Sequence, residues 1–457
     1  MRKNYPIGLT ALLCILVFAA LVRSFTFQLP HDNGDQVFYL GLAMKLDKFG
    51  FGGYTLRNID VGGIVSETGV KQVLGLYPTE KEQGTLLLGL ARTGVTYYDE
   101  PLFHRSYGFP YALMFSHRIF SREDPYLALY TSGRHPNGYV YSLNSRQTWP
   151  LQFYAAFVPF IFSLLFILCT YILGKRLFSR NVAIMAAFLV AISPIEILSS
   201  QKTWADTMLS FFVVFSLLLF YMAKERHNPV LSFSAGLSCG IAVLVKQTGG
   251  FLVIALLIFH ILQHRDDLFN PRKWAGIIFD RHIMLFCAGV AVATFHWFYS
   301  ITKTYGNPLY SAPHSGLDKE VGWFAMLGGR PRFLYLISIP CMVPLFGLAY
   351  FSVIAGPFIK GFMDDRKTLL SIWILTFLCI LIYMNTKENR YMLPAYPAIA
   401  ILTADILQRI GDLLNNRLGR NLGTVLIVAA LLASAFWAVP MGIKHALYNV
   451  ALILKPF

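Results

Sequence analysis

Residues 174–230, GKRLFSRNVAIMAAFLVAISPIEILSSQKTWADTMLSFFVVFSLLLFYMAKERHNPV, decide the fold. A basic connector, an apolar run, a short polar turn, a second apolar run and another basic connector follow in that order. Each run is close to the roughly 20 residues needed to cross a bilayer's hydrocarbon core. Cytoplasmic loops collect Lys and Arg, so GKRLFSRN and AKERHNP read as inside and SSQKTWAD as outside.

The same alternation continues in both directions. Apolar runs fall at about 7–27, 151–173, 182–198, 207–223, 230–245, 248–263, 283–301, 334–358, 368–384, 392–408 and 422–440. That predicts about eleven transmembrane helices. The run at 7–27 is followed by no small-residue cleavage site, so it reads as a retained first span. The connectors QHRDDLFNPRKWAGIIFDRH, IKGFMDDRK and QRIGDLLNNRLGRN then also fall inside, while KQTGG and NTKENRY fall outside. The three short outer turns hold only Lys202, Lys246, Lys387 and Arg390 as basic residues.

Composition agrees with this reading. Of the 457 residues 56% are hydrophobic and 14% charged, against roughly 25% charged in ordinary soluble domains. The net charge of +15 encodes topology, because the basic residues sit in alternate connectors; nucleic acid is not an expected partner. All six cysteines lie within apolar runs, so neither a disulfide framework nor a thiolate metal site is expected.

The expected fold is therefore a single all-α, multi-pass membrane domain over residues 1–457. Two segments break the short-loop pattern: a first extracytoplasmic loop at 28–149 and a second at 302–333. Long loops in compact proteins usually carry function. In GDQVFYLGLAMKLDKFG (34–50), Tyr39, Leu42, Ala43 and Leu46 follow the i, i+3, i+4, i+7 spacing of an amphipathic helix, expected to lie on the membrane surface. A second short helix is expected after Pro110, in YALMFSHRIF.

Several charged residues at the outer helix ends could carry chemistry. Asp35 reads either as a base that takes a proton from an acceptor hydroxyl or as a helix N-cap. Asp206, opening TMLSFFVVFSLLLF, has the same N-cap reading. Lys246 interrupts an apolar hairpin and either snorkels to headgroups or neutralises an anion. Arg390 is placed similarly, with a guanidinium suited to bidentate phosphate recognition. His260 and His264 share a helix face, but at the cytoplasmic end and without an HExxH pattern, so they do not read as metal ligands. No glycine-rich nucleotide loop stands between a strand and a helix, which disfavours a sugar nucleotide donor.

In order and spacing these stretches resemble the GT-C superfamily of membrane glycosyltransferases, in particular the branch of protein O-mannosyltransferases and the lipid A aminoarabinose transferase. The resemblance covers about residues 1–408. It rests on GDQVFYLGLAMKL (34–46), FHRSYGFPYAL (103–113), residues 174–212, GLSCGIAVLVKQTGG (236–250) and RYMLPAYP (390–397). It implies that Asp35 occupies the catalytic acidic position and Asp206 a second acidic position. Lys246 and Arg390 would bind the carrier phosphate, with Asp32, His104 and Lys202 as accessory residues. Gln36 stands where the family often has Glu, which weakens a metal or second-carboxylate role there. No cofactor is required by the sequence.

The implied reaction moves a sugar from a polyprenyl phosphate carrier to a lipid, glycan or protein acceptor on the extracytoplasmic face, with inversion. A flippase or transporter of lipid-linked sugars is the alternative, although the sequence offers no inverted repeat and no pair of broken helices at corresponding positions. A polysaccharide polymerase or ligase is disfavoured, because its major outer loop usually comes later in the chain. The modest loop at 302–333 and the short stretch after about 440 lead to an expected home in a bacterial or archaeal plasma membrane, surrounded by membrane lipids.

Overall fold

The computed structural model describes residues 6–27, 39, 42–43, 46–47, 50–53, 106–120, 145–267, 269–306, 333–384, 387–419 and 421–454. Among them every regular element is helical. The helices are α1 Pro6–Phe27, α2 Gly108–Phe120, α3 Ser145–Leu177, α4 Arg180–Ala191, α5 Pro194–Gln201, α6 Asp206–Arg226, α7 Pro229–Val245 and α8 Phe251–Gln263. They continue with α9 Trp274–Ile278, α10 Arg281–Tyr305, α11 Leu334–Met342, α12 Gly347–Ala355, α13 Asp365–Tyr383, α14 Tyr396–Leu418 and α15 Leu422–Leu454. Each of the eleven expected runs is thus mostly helical, the run at 182–198 being broken at 192–193 and that at 334–358 at Val343. Among the described residues five helices are long and apolar enough to cross a membrane, or six if the bent pair α4–α5 is one span, and four further apolar stretches are shorter.

The helices begin where local chemistry allows. Ser179, Asn228, Asp280 and Asp364 each accept a hydrogen bond from a first-turn backbone N–H, satisfying donors that have no partner inside the helix. All four caps lie in the basic connectors. On α1, Leu9, Leu13, Val17 and Leu21 form an exposed apolar stripe, while Leu12, Ile15 and Ala19 are buried. A helix apolar on both faces suits lipid on one side and protein on the other.

Small residues set the closest helix contact. α7 runs along α10, with Gly236 and Gly240 facing Gly289 and Ala293. A Cβ on Gly236 would lie 2.0 Å from the Phe286 carbonyl oxygen, and one on Gly289 2.3 Å from that of Phe233. This small-xxx-small arrangement lets two backbones touch without a polar driving force. Gly236→Ala is expected to destabilise the protein by about 1–3 kcal/mol, the usual cost of overpacking. Gly276→Ala, where the added carbon meets nothing within 4 Å, should leave the thermal unfolding midpoint in detergent nearly unchanged.

The bend between α4 and α5 is 59°. It follows from Pro194, which cannot continue the hydrogen-bond ladder of α4. Arg23 of α1 closes the break. Its guanidinium donates to the Ala191 carbonyl at 3.2 Å, to Ser163 Oγ at 2.7 Å and to Glu196 in the first turn of α5. Both ionic side chains are fully buried. Glu196 also meets the positive end of its own helix.

The second expected helix of the first loop is found as α2, and of the first only residues 39, 42–43, 46–47 and 50 are described. Tyr39, Leu42, Ala43 and Leu46 are helical and buried, and Tyr39 meets Phe109 of α2 edge-on with ring centroids 5.0 Å apart. The spacing read from the sequence therefore marks a face packed on protein. Arg118 of α2 pairs with Asp47. A Cβ on Gly108 would lie 2.7 Å from the Leu244 carbonyl oxygen, so α2 sits directly against the end of α7, two residues before Lys246. The His260 and His264 rings lie tilted to each other with centroids 4.6 Å apart, and each has one ring nitrogen bonded to a backbone carbonyl.

Candidate functional site

Three turns converge at one end of the bundle. The first is the turn from α5 into α6, which supplies Lys202, Trp204 and Asp206. The second is the tight passage from α7 into α8. Lys246 ends α7, and a 3-10 turn at Gln247–Gly250 reverses the chain. Gly249 permits that reversal, because a side chain there would strike the Ala242 backbone at 2.6 Å. The third is the 3-10 turn Asn389–Ala395, which carries Arg390 and Tyr391 after the extended Glu388.

Asp206 ties the three together. One carboxylate oxygen lies 2.6 Å from Lys246 Nζ and the other 3.7 Å from an Arg390 terminal nitrogen. Asp206 is 2% exposed, Arg390 8% and Lys246 24%. The N-cap reading of Asp206 is corrected: Ala205 is the cap position and makes no side-chain cap bond, while the Asp206 side chain is committed to the two cations. The snorkelling reading of Lys246 is likewise corrected, since its ammonium turns inward to Asp206 and lies 4.2 Å from the Tyr391 ring centre.

Aromatic rings complete the cradle. The Arg390 guanidinium lies 4.0 Å from the Trp204 ring centre and Lys202 Nζ lies 4.7 Å from the same ring. Two cations on one indole are each favoured by its quadrupole but repel one another. Burial, and then the charge of Arg390, push the Lys202 ammonium down to about 8. Arg390 Nε also lies 2.6 Å from a Glu388 oxygen, and the Tyr391 hydroxyl donates to the other Glu388 oxygen at 3.4 Å.

Four residues predicted for the site thus meet: Asp206, Lys246, Arg390 and Lys202. Asp35, Asp32 and His104 lie outside the described residues. Trp204, Glu388 and Tyr391 were not foreseen. Their signal was proximity, since each stands within two residues of a predicted member, yet a charged or aromatic residue in a short turn ordinarily reads as solvated. Among the described residues no three His, Cys, Asp or Glu side chains gather as a metal cluster.

Cations held half-buried beside aromatic rings can bind an oxyanion and stabilise charge that builds on it. Residues 148–292 match the family described as dolichyl-phosphate-mannose-protein mannosyltransferase. A protein of Aquifex aeolicus, itself described as uncharacterized, is 25% identical over 280 residues, covering 59% of this chain and 52% of that one. The chain thus spans about half the length of the curated relative it matches.

Among solved structures, ArnT from Cupriavidus metallidurans in the apo state superposes with a TM-score of 0.58 at 12% identity, covering 96% of this chain and 76% of that one. The same enzyme bound to undecaprenyl phosphate gives 0.56 at 14%, covering 96% and 74%. The Archaeoglobus fulgidus oligosaccharyltransferase gives 0.57 at 17%, covering 98% of this chain and 56% of that one. The chain therefore shares the fold of ArnT and of the Archaeoglobus fulgidus oligosaccharyltransferase.

Proposed function

We propose that this protein transfers a sugar from a polyprenyl phosphate carrier to an acceptor on the extracytoplasmic face of the plasma membrane, with inversion at the sugar. The observation that carries the reading is the cluster of Lys246, Arg390 and Lys202 around Asp206 and Trp204, at one end of an apolar bundle with a GT-C fold. ArnT, which shares that fold, has been crystallised with undecaprenyl phosphate, a ligand of the chemistry such a pocket fits.

The reaction needs little more than this. When the bond between the anomeric carbon and the phosphate oxygen breaks, the phosphate gains a second negative charge. Lys246 and Arg390 stabilise that charge, so the carrier leaves without a strong general acid. Asp206 keeps both cations aimed at the phosphate. Asp35 serves as the base that takes the proton from the acceptor hydroxyl. A base and a leaving group on opposite faces of the ring give inversion, as in inverting glycosidases. Asp32, His104 and Lys202 are accessory groups of the same site, and the acceptor is a lipid, glycan or protein.

The alternative, a flippase, moves the conjugated carrier unchanged. Membranes with and without the chain, supplied with a labelled polyprenyl-phosphate sugar, separate the two. The expected result is chain-dependent release of free polyprenyl phosphate, mole for mole with sugar appearing on a lipid or protein product identified by mass analysis. If the label crosses the bilayer still joined to its carrier and none is released, the transfer reading fails.

A further inference from the structure

We propose that Glu388 is a built-in stand-in for the phosphate: it neutralises Arg390 while the site is empty and must swing away when a polyprenyl phosphate binds. The inference rests on the phosphate-binding reading above and assigns a specificity role to a residue outside it.

Arg390 has two carboxylate neighbours with different standing. Asp206 lies at the floor, 2% exposed, and holds Lys246 and Arg390 at once. Glu388 lies at the rim with its side chain 33% exposed, yet its oxygen is closer to Arg390, at 2.6 Å against 3.7 Å. Its second oxygen accepts a long contact from the Tyr391 hydroxyl at 3.4 Å. Glu388 itself has extended backbone just before the 3-10 turn, so its side chain can rotate without disturbing the turn. An anion arriving from outside meets Glu388 before it meets Asp206.

The arrangement has a physical logic. A guanidinium this buried is costly without a countercharge. Glu388 supplies one, and any incoming phosphate must replace it or suffer repulsion at close range. Small anions gain too little to displace it. A polyprenyl phosphate brings in addition the burial of its chain in lipid and protein, about 0.8 kcal/mol per CH2, so the same rim carboxylate screens anions by whether they carry a lipid tail.

The test uses the full-length protein in nanodiscs with farnesyl phosphate as the probe and farnesol as its uncharged counterpart. Glu388→Gln, which keeps the shape and removes the charge, should bind farnesyl phosphate about tenfold more tightly than wild type, with farnesol binding unchanged. Glu388→Asp, which keeps the charge, should remain within about twofold of wild type. A gain in affinity is an outcome that loss of a merely structural contact does not produce. If Glu388→Gln binds farnesyl phosphate no better than wild type, or tightens farnesol equally, the role of Glu388 is overturned while the phosphate site stands. If wild type binds farnesol and farnesyl phosphate alike, the phosphate reading itself falls, and this inference with it.

Discussion

Asp206→Ala is expected to lower stability by about 3–5 kcal/mol, the range found when one partner of a buried ion pair is removed and the other charge is left behind. Here the charges left behind are Lys246 and Arg390, both within 3.7 Å of the missing carboxylate. Without it they repel each other beside Lys202, and the three turns lose the group that joins them. Thermal unfolding in detergent measures this directly. The double variant Asp206→Ala with Lys246→Met should recover part of the loss, because it also removes one of the stranded cations. If the single variant unfolds at the wild-type temperature, Asp206 is not the tie that its contacts describe. Asp206→Asn, which keeps the shape but leaves Lys246 and Arg390 without their countercharge, should also lower the unfolding temperature, and by releasing the two cations should weaken farnesyl phosphate binding, the opposite sign to Glu388→Gln.

Asp35→Asn is expected to reduce sugar transfer by about 10²–10⁴-fold, the usual contribution of a positioned general base. Protein abundance in membranes and affinity for farnesyl phosphate should stay at wild-type levels, since the proposed mechanism assigns the phosphate to Lys246 and Arg390. This split separates a base from a binding group: turnover falls while carrier affinity does not. An N-cap has a different signature. Asparagine caps a helix as well as aspartate, so a purely capping Asp35 would tolerate the substitution. Full transfer by Asp35→Asn at native abundance would therefore return Asp35 to the cap reading.

Much of the fold was legible because a membrane imposes rules that act on short stretches of chain. Hydrocarbon admits no unsatisfied backbone, so an apolar run of spanning length becomes a helix whatever surrounds it. The runs at 182–198 and 207–223 are found as helices, with Ser179 as the cap before the first run and the Pro194 bend inside it. The face formed by Tyr39, Leu42, Ala43 and Leu46 was legible for the same local reason, though its partner was not. Spacing says which side chains share a face, and only packing says that the face meets protein.

The site was legible in membership and illegible in wiring. Asp206, Lys246, Arg390 and Lys202 could be picked out as charges at outer helix ends. Each alone fitted a bland role, as a cap or a snorkelling side chain. What those readings omit is that residues 40 and 184 positions apart along the chain compete for one another's charge. Asp206 accepts Lys246 instead of its own helix N-terminus because an ammonium 2.6 Å away in a buried setting outweighs a backbone amide. Arg23 with Glu196, 173 positions apart, shows the same limit.

From sequence alone follow the membrane bundle, the helices and the end of the bundle where chemistry should be sought, since hydropathy, charge bias and capping are properties of neighbouring residues. Only the tertiary structure decided which charges neutralise one another, how Trp204 and Tyr391 frame the cations, and that a carboxylate at the rim stands on Arg390. Those outcomes depend on distance in space and on burial, and neither is set until the helices have packed.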